Sequence, residues 1–219
     1  DAHLLEIAVT NLLDNACKFS RSRQQTRIEF GSLSRVAAES IAGRSSHFRA
    51  VQATAVVGVL GLTVASTGAS EKGLRRAGVT DYAKIYLHPG HHAGYYPGAQ
   101  PIHMKLLFST ADGCVLGAQA VGREGVEKRI DVIATAIQFD ATAHDLAEAE
   151  LCYAPQYGAA KDPVNLAGMI AENVLSGDMP IADWDRIGDT EALIVDVRGA
   201  EEFAAGHIPR ALNLPLDQL

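Results

Sequence analysis

Apolar and polar positions along the chain follow two periods, which together predict a sheet flanked by helices. Runs rich in β-branched residues predict strands, and apolar residues three and four apart predict helices. The predicted strands are 54–66, 82–88, 102–109 and 114–121, and the predicted helices are 70–77, 125–138, 142–150 and 162–176. The turn-rich residues 110–113 between two of the strands predict a hairpin. This order predicts an α+β fold, with one antiparallel sheet and helices on one face. The other face is too apolar to remain in water, which indicates an interface.

The two ends of the chain have sequence patterns that differ from that of the middle. Residues 3–20 form an amphipathic helical pattern, and an Arg-rich polar stretch follows at 20–35 with a short strand at 26–30. Near the other end, a polar linker at 177–189 leads to a buried-strand pattern at 192–198 and a short helix at 200–205.

One uncharged stretch, residues 50–70, has about the length that crosses a bilayer. Its glycines, threonines and serines and its β-branched apolar residues favour a buried strand bounded by turns over a lipid-facing helix. We therefore predict no membrane span.

Composition narrows the function classes further. The 219 residues are 47% hydrophobic and 21% charged, with a net charge of −7, which is typical of a soluble globular protein. The last 41 residues carry three basic and eight acidic groups, which argues against a nucleic-acid or anionic-membrane partner. Three distant cysteines (Cys17, Cys114 and Cys152) indicate reduced thiols and a cytoplasmic protein. The first residue, Asp1, leads us to expect a start inside a longer reading frame.

Four motifs follow one another along the middle of the chain. They are LTVASTGASEKGLRRAG at 62–78, HHAGYYPG at 91–98, VGREGVEKRIDVIATAI at 121–137 and YAPQYGAAKDPVNLAGMIAENVLSG at 153–177. Together they resemble the C-terminal dimerisation domain of flavin-dependent pyridine nucleotide-disulfide oxidoreductases, most closely the coenzyme A-disulfide reductase and NADH oxidase-like group. The resemblance runs from about residue 35 to 177.

This resemblance implies a homodimer formed through residues 35–178, in an enzyme that uses FAD and NAD(P)H on coenzyme A disulfide or a related sulfur substrate. It also implies that two tyrosines act across the subunit interface, and they match Tyr95 and Tyr153 here. A phenol can donate a hydrogen bond to a leaving thiolate. Gln156 stands where the family has a second proline. The alternative is that both tyrosines are packed loop anchors.

Two further features of this region have structural explanations. Asp162 can cap the following helix, with Pro163 at its first position. His88, His91, His92 and His103 suggest a metal site, but no carboxylate or thiolate stands near them at ligand spacing. We therefore expect a polar loop at a subunit junction, and no metal.

The segment DVRGAEEFAAGHIPRALNLP at 196–215 resembles the first half of a rhodanese domain, with Asp196, Arg198, Glu202, His207 and Asn213 in register. The resemblance implies a truncated α/β domain over 179–219. The cysteine of that family would follow the last residue, Leu219, so we expect no complete sulfurtransferase site.

The segment LLEIAVTNLLDNACKFS at 4–20 resembles the N-box helix of sensor histidine kinases, in which two asparagines and a lysine face ATP. The matching residues are Asn11, Asn15 and Lys18. The glycine-rich boxes of that family are absent from this sequence, so we expect no ATP binding.

The sequence thus predicts three parts: a kinase-like leader at 1–34, a dimerisation domain at 35–178 and a truncated rhodanese-like domain at 179–219. No G-x-G-x-x-G motif occurs, so we expect no FAD or NAD(P)H bound to this chain alone. The first hypothesis is a fragment of an oxidoreductase that lacks turnover alone. The alternatives are a non-catalytic dimerisation module and a histidine kinase ATPase-domain remnant.

Overall fold

The computed structural model describes residues 42–43, 52–182, 187 and 191–218. The chain divides after Met179 into two compact units. The predicted leader helix and its kinase-like asparagines lie outside the described residues.

A five-stranded antiparallel sheet forms the centre of the first unit. Its strands are β1 (Ala55–Val59), β2 (Leu62–Gly68), β3 (Tyr82–Leu87), β4 (Ile102–Ser109) and β5 (Val115–Gly122). They lie side by side in the order β1, β2, β5, β4, β3. The predicted hairpin joins β4 to β5, and the predicted α+β fold is confirmed.

The single strand predicted at 54–66 is wrong, because the chain reverses in the middle of it. Val59 pairs with Leu62, which leaves Leu60 and Gly61 as a two-residue turn. Both have positive φ angles, 51° and 76°, as the tight hairpin turns that match strand twist require. Leu60 lacks the side chain that usually marks such a turn, so only Gly61 indicated the reversal.

Three helices pack on one face of the sheet and enclose the main core. They are α2 (Val126–Gln138), α3 (Ala143–Glu148) and α4 (Pro163–Leu175). The fully or almost fully buried core side chains include Ile85, Ile102, Met104, Leu106, Phe108, Ile130, Ile133, Leu146 and Val164. The prediction of helices on one face is therefore confirmed for these three.

The short helix α1 (Glu71–Arg76) lies against the opposite face. Its Glu71 carboxylate accepts hydrogen bonds from the ammonium groups of Lys84 and Lys105. Because side chains alternate along a strand, Lys105 points away from the core that contains Met104. This face of the sheet therefore carries charged side chains, those of Lys84 and Lys105.

A small apolar cluster lies on the same face. Buried Val64 and Val121 pack there with the partly buried Val57 and Leu62. The predicted interface on this face stays a prediction.

The second unit contains a pair of two-residue parallel strands, β6 (Val195–Asp196) and β7 (Leu212–Asn213), with the helix α5 (Ala200–Ala205) between them. The strand predicted at 192–198 is shorter here because its partner β7 offers only two residues. The Arg198 guanidinium binds the Asp196 carboxylate at 2.6 Å and the Gly206 carbonyl at 2.8 Å. The parallel pairing agrees with the predicted α/β segment.

Among the described residues, no helix is both long and apolar enough to cross a membrane. Within the uncharged stretch 50–70, residues 55–59 and 62–68 form β1 and β2.

Candidate functional site

The two tyrosines that the sequence analysis selected lie together at the surface. Tyr95 belongs to the loop 88–101 between β3 and β4, and Tyr153 belongs to the loop 149–162 between α3 and α4. Their phenol oxygens are 3.0 Å apart, a hydrogen bond that joins residues 58 positions apart. Tyr95 is 77% exposed and Tyr153 is 50% exposed, so both phenols face the surroundings of the first unit.

The hydrogen bond between these phenols also affects the pKa of Tyr153. It raises the pKa of Tyr153 above its usual value, with smaller contributions from desolvation and from the charge of Tyr95. Tyr153 is protonated at neutral pH, as a tyrosine of ordinary pKa also is. A protonated phenol has one donor, and the pair can present a donor to a sulfur or oxygen anion placed beside it.

The loop 88–101 is closed at its base before the chain reaches Tyr95. Gly90 pairs with Pro101 in an isolated antiparallel bridge. The His91 backbone N–H donates to the Gln100 carbonyl at 2.9 Å, and the Gln100 N–H donates to His91 Nδ1 at 3.0 Å. The bridge and these hydrogen bonds therefore fix the base of the loop below its tip.

A backbone hydrogen bond connects the two loops directly. The Ala93 N–H donates to the Gly158 carbonyl at 2.8 Å. On the same loop, the ring of buried His92 meets the ring of Tyr96 edge to face at 5.5 Å. The loop that carries Tyr95 is therefore attached to the loop that carries Tyr153.

Beneath both loops lies Arg129 of α2, which is only 1% exposed. Its guanidinium donates to the Asp162 carboxylate at 2.8 Å and 3.3 Å. It also donates to the His91 carbonyl at 2.7 Å and to the Gly125 carbonyl at 3.1 Å. One buried cation thus contacts the base of the first loop, the end of the second loop and the start of α2.

The partner of Arg129, Asp162, also caps α4. Its carboxylate accepts from the Val164 N–H at 3.1 Å, Pro163 occupies the first helical position, and the Asn165 side chain accepts from the Asp162 N–H. The predicted cap and the predicted proline position are confirmed. A cap that also carries a buried ion pair fixes where the 149–162 loop ends.

Sequence reasoning missed Arg129. Its position did carry a signal, because it lies three residues after Val126 and four before Ile133, on the apolar stripe of the helix. A cation on a buried stripe requires a buried partner. Asp162, recognised only as a cap, is that partner.

The four histidines form two pairs. The Nδ1 atoms of His88 and His103 are 2.8 Å apart, and burial together with the charge of His88 lowers the pKa of His103. His91 and His92 have ring centres 4.1 Å apart. Within the part of the chain that the structure describes, no three His, Cys, Asp or Glu side chains converge as metal ligands would. Their placement at a subunit junction stays a prediction.

The two cysteines in the described ranges are free thiols. Cys152 is exposed and precedes Tyr153 in the chain. The pKa of Cys114 is raised, mainly by partial burial and to a smaller extent by hydrogen bonding to Asp112. Cys17 lies outside the described residues.

The described sheet of the first unit does not have the architecture of the usual dinucleotide-binding site for FAD or NAD(P)H. Dinucleotide sites of the usual kind need a parallel strand, a glycine-rich turn and a helix N-terminus that meets the pyrophosphate. The described sheet of the first unit is antiparallel throughout, and the sequence contains no G-x-G-x-x-G.

Comparison with known proteins finds similarity in both units. Residues 54–162 match the dimerisation domain of the pyridine nucleotide-disulphide oxidoreductases, and residues 184–219 match the rhodanese-like domain. Coenzyme A disulfide reductases of Staphylococcus epidermidis and Staphylococcus aureus are 38% and 37% identical over 138 residues. These 138 residues are 63% of this chain and 31% of each reductase.

Solved structures give the same result. Reduced Bacillus anthracis CoADR-RHD has a TM-score of 0.79 and 41% identity over 83% of this chain and 33% of that one. A NAD-dependent persulfide reductase from A. fulgidus has a TM-score of 0.73 and 35% identity over 84% of this chain and 33% of that one. The chain thus spans about a third of the length of these relatives. Residues 54–162 are therefore similar to the dimerisation domain of the pyridine nucleotide-disulphide oxidoreductases, and residues 184–219 are similar to the rhodanese-like domain.

Proposed function

We propose that the first unit is the subunit-pairing domain of an FAD- and NAD(P)H-dependent oxidoreductase that reduces coenzyme A disulfide or a related sulfur substrate. In this proposal Tyr95 and Tyr153 act in the active site of the partner subunit. The observation that carries it is the 3.0 Å hydrogen bond between the two exposed phenols, on loops that the buried Arg129 contacts from below. The named activities of the relatives, coenzyme A disulfide reductase and persulfide reductase, support the substrate class.

The chemistry of disulfide cleavage suits a paired phenol. When the S–S bond breaks, the departing sulfur carries a negative charge, and a hydrogen-bond donor beside it stabilises that charge. Tyr153 has a proton for this role, because a tyrosine of ordinary or raised pKa is protonated at neutral pH. The reduction itself requires cofactor-binding parts that the described residues do not supply.

A chimaera tests the role of the tyrosines. Residues 52–179 replace the matching segment of the Staphylococcus epidermidis coenzyme A disulfide reductase, and turnover of coenzyme A disulfide is measured with NADH and with NADPH. We expect Y95F and Y153F each to lower kcat by about 100-fold to 1,000-fold, the range for loss of one preorganised hydrogen-bond donor to a developing anion.

The matched controls are Y96F and Y157F, which alter exposed tyrosines on the same two loops. Flavin content and dimer mass are measured for every variant. Equal activity of Y95F, Y153F and the controls would show that the pair has no part in turnover. That result would favour a non-catalytic dimerisation module.

The full chain tests the pairing of subunits. Light scattering after size exclusion is expected to give twice the chain mass of 23.2 kDa. A monomer at concentrations up to about 100 μM, where an interface with a micromolar dissociation constant is saturated, would contradict the proposed dimer.

The same preparation tests for turnover by the isolated chain. After addition of FAD and gel filtration, we expect no flavin absorbance with the protein and no oxidation of NADH. Retained flavin with NADH oxidation would contradict this part of the proposal. The relatives found for residues 54–162 and 184–219 favour the oxidoreductase over the histidine kinase alternative.

A further inference from the structure

We infer that Arg129, paired with Asp162, is the positioning residue that holds Tyr95 and Tyr153 within hydrogen-bond distance of each other. The inference rests on the proposed function only where it concerns catalysis. The positioning of the two tyrosines by Arg129 can be tested in this chain without any turnover. Neither residue touches the phenols through any contact that the structure describes; each acts through the backbone of the loops.

The argument begins with the hydrogen bonds of Arg129. Four of the five N–H donors of a guanidinium have partners here: two on Asp162, one on His91 and one on Gly125. The His91 carbonyl lies four residues before Tyr95, at the base of its loop. Asp162 is the last residue of the loop that carries Tyr153. The two loops therefore share a single rigid group as their common support.

Burial makes this support stiff. The side chains of Arg129 and Asp162 are 2% and 5% exposed, so neither can exchange its partner for water without exposing the other. The planar guanidinium presents its donors in a fixed fork. A displacement of either loop would break at least one of these bonds inside the protein, where an unpaired charge is costly.

The remaining hydrogen bonds between the described residues of the two loops are few. Among the described residues, one backbone bond, from Ala93 to Gly158, and the phenol contact itself join them directly. A phenol contact between exposed side chains cannot orient two loops by itself, because its partners also hydrogen-bond to water. The orientation therefore depends on Arg129 and the Ala93–Gly158 bond.

Substitution of Arg129 by lysine tests this inference. Lysine keeps the charge, and so the pairing with Asp162, but its single ammonium cannot reach three carbonyl and carboxylate partners in a plane. The full chain is labelled with ¹³C at the tyrosine ring carbon that bears the hydroxyl. The titration of each tyrosine is followed by NMR up to the highest pH at which circular dichroism shows an intact fold.

In the wild-type chain Tyr153 is expected to titrate above the usual tyrosine range. In Y95F the midpoint of Tyr153 is expected at a lower pH than in the wild-type chain. R129K is expected to move the Tyr153 midpoint at least halfway from the wild-type value towards the Y95F value. The control I133V changes a fully buried residue one turn further along α2, away from both loops, and leaves the midpoint unchanged.

D162N is the second variant, in case R129K does not fold. It preserves the shape of the side chain and removes its charge, and the same direction of shift is expected. A Tyr153 midpoint that stays at the wild-type value in R129K or D162N, while Y95F lowers it, would overturn the inference. An unchanged midpoint in Y95F would overturn it as well, since no phenol pair would then exist to be held. These readouts do not involve turnover, so failure of the proposed function would leave them decisive.

Discussion

The carboxylate of Glu71 accepts a hydrogen bond of 2.6 Å from the ammonium group of Lys105, and this contact fastens α1 to the sheet. Lys84 donates to the same carboxylate at 3.0 Å. Partial burial alone would raise the pKa of Glu71, but the hydrogen bonds and charges of the two lysines outweigh it and lower the pKa to about 2.

The lowered pKa predicts an acid-dependent loss of stability. Because the pKa of Glu71 is lower in the folded chain than the ordinary 4.5, its contribution is complete above pH 4.5 and is lost as pH falls towards about 2. The shift corresponds to about 3 kcal/mol at most, and screening by water around the lysines reduces this to about 1–2 kcal/mol. Urea unfolding should show this difference between wild type and E71Q at pH 7, with less than half of it remaining at pH 3. E150Q, a change in an exposed residue, is the control; a constant difference at both pH values would refute the prediction.

Asn165 on the first turn of α4 supports the end of α3. Its side-chain amide donates to the carbonyls of Leu146, Ala147 and Ala149 at 3.1, 3.2 and 2.9 Å. N165A would leave these carbonyls without that partner, and we expect a loss of about 2 kcal/mol in the free energy of unfolding. The exposed Asn173 on the same helix provides the control N173A, for which a change below about 0.5 kcal/mol is expected. Equal effects of the two substitutions would contradict the role of the Asn165 amide.

Leu60 offers a stabilising substitution. It is 95% exposed and has a φ of 51°, a conformation that a leucine adopts at a cost and that asparagine tolerates well. L60N, followed by Gly61, creates the preferred pair for this hairpin turn. We expect a gain of about 1 kcal/mol, because the left-handed conformation costs a leucine about 1–2 kcal/mol; it should appear as a rise of about 2–4 °C in the thermal midpoint of the first unit. G61A, at a φ of 76°, should lower the same midpoint. A midpoint in L60N below that of the wild type would disprove the assignment of this turn.

Gly168 sets the distance between α3 and α4. A Cβ atom at this position would lie closer than 3.0 Å to the Ala143 carbonyl and to the Ala147 nitrogen, both of which are backbone atoms. G168A should therefore cost about 1–3 kcal/mol by overpacking, measured by chemical denaturation. G58A is the control, because no atom lies within 4 Å of a Cβ placed at Gly58. Full tolerance of G168A would mean that the two helices can move apart.

Much of the fold was predictable because burial imposes a simple period on the sequence. The strand at 102–109 and the helix at 125–138 coincide with β4 and α2 to within one residue. The strand at 54–66 failed for a local reason. Leu60 occupies a turn conformation that its side chain disfavours, and the apolar run continues through it without a break.

The candidate site shows a different limit. Sequence motifs identified Tyr95 and Tyr153 separately, and their role stays a prediction. The hydrogen bond between them depends on the relative positions of two loops that are far apart in the sequence. No local sequence pattern predicts these positions. It follows from Arg129, whose charge on an apolar stripe became interpretable only when Asp162 was seen beside it.

The bridge between Gly90 and Pro101 has a consequence for how this domain can diversify. Because the pairing of β3 and β4 is completed below the bridge, residues can be inserted, deleted or exchanged beyond it without shifting the register of either strand. The loop above the bridge can therefore change in length or in chemistry while the sheet below it is retained.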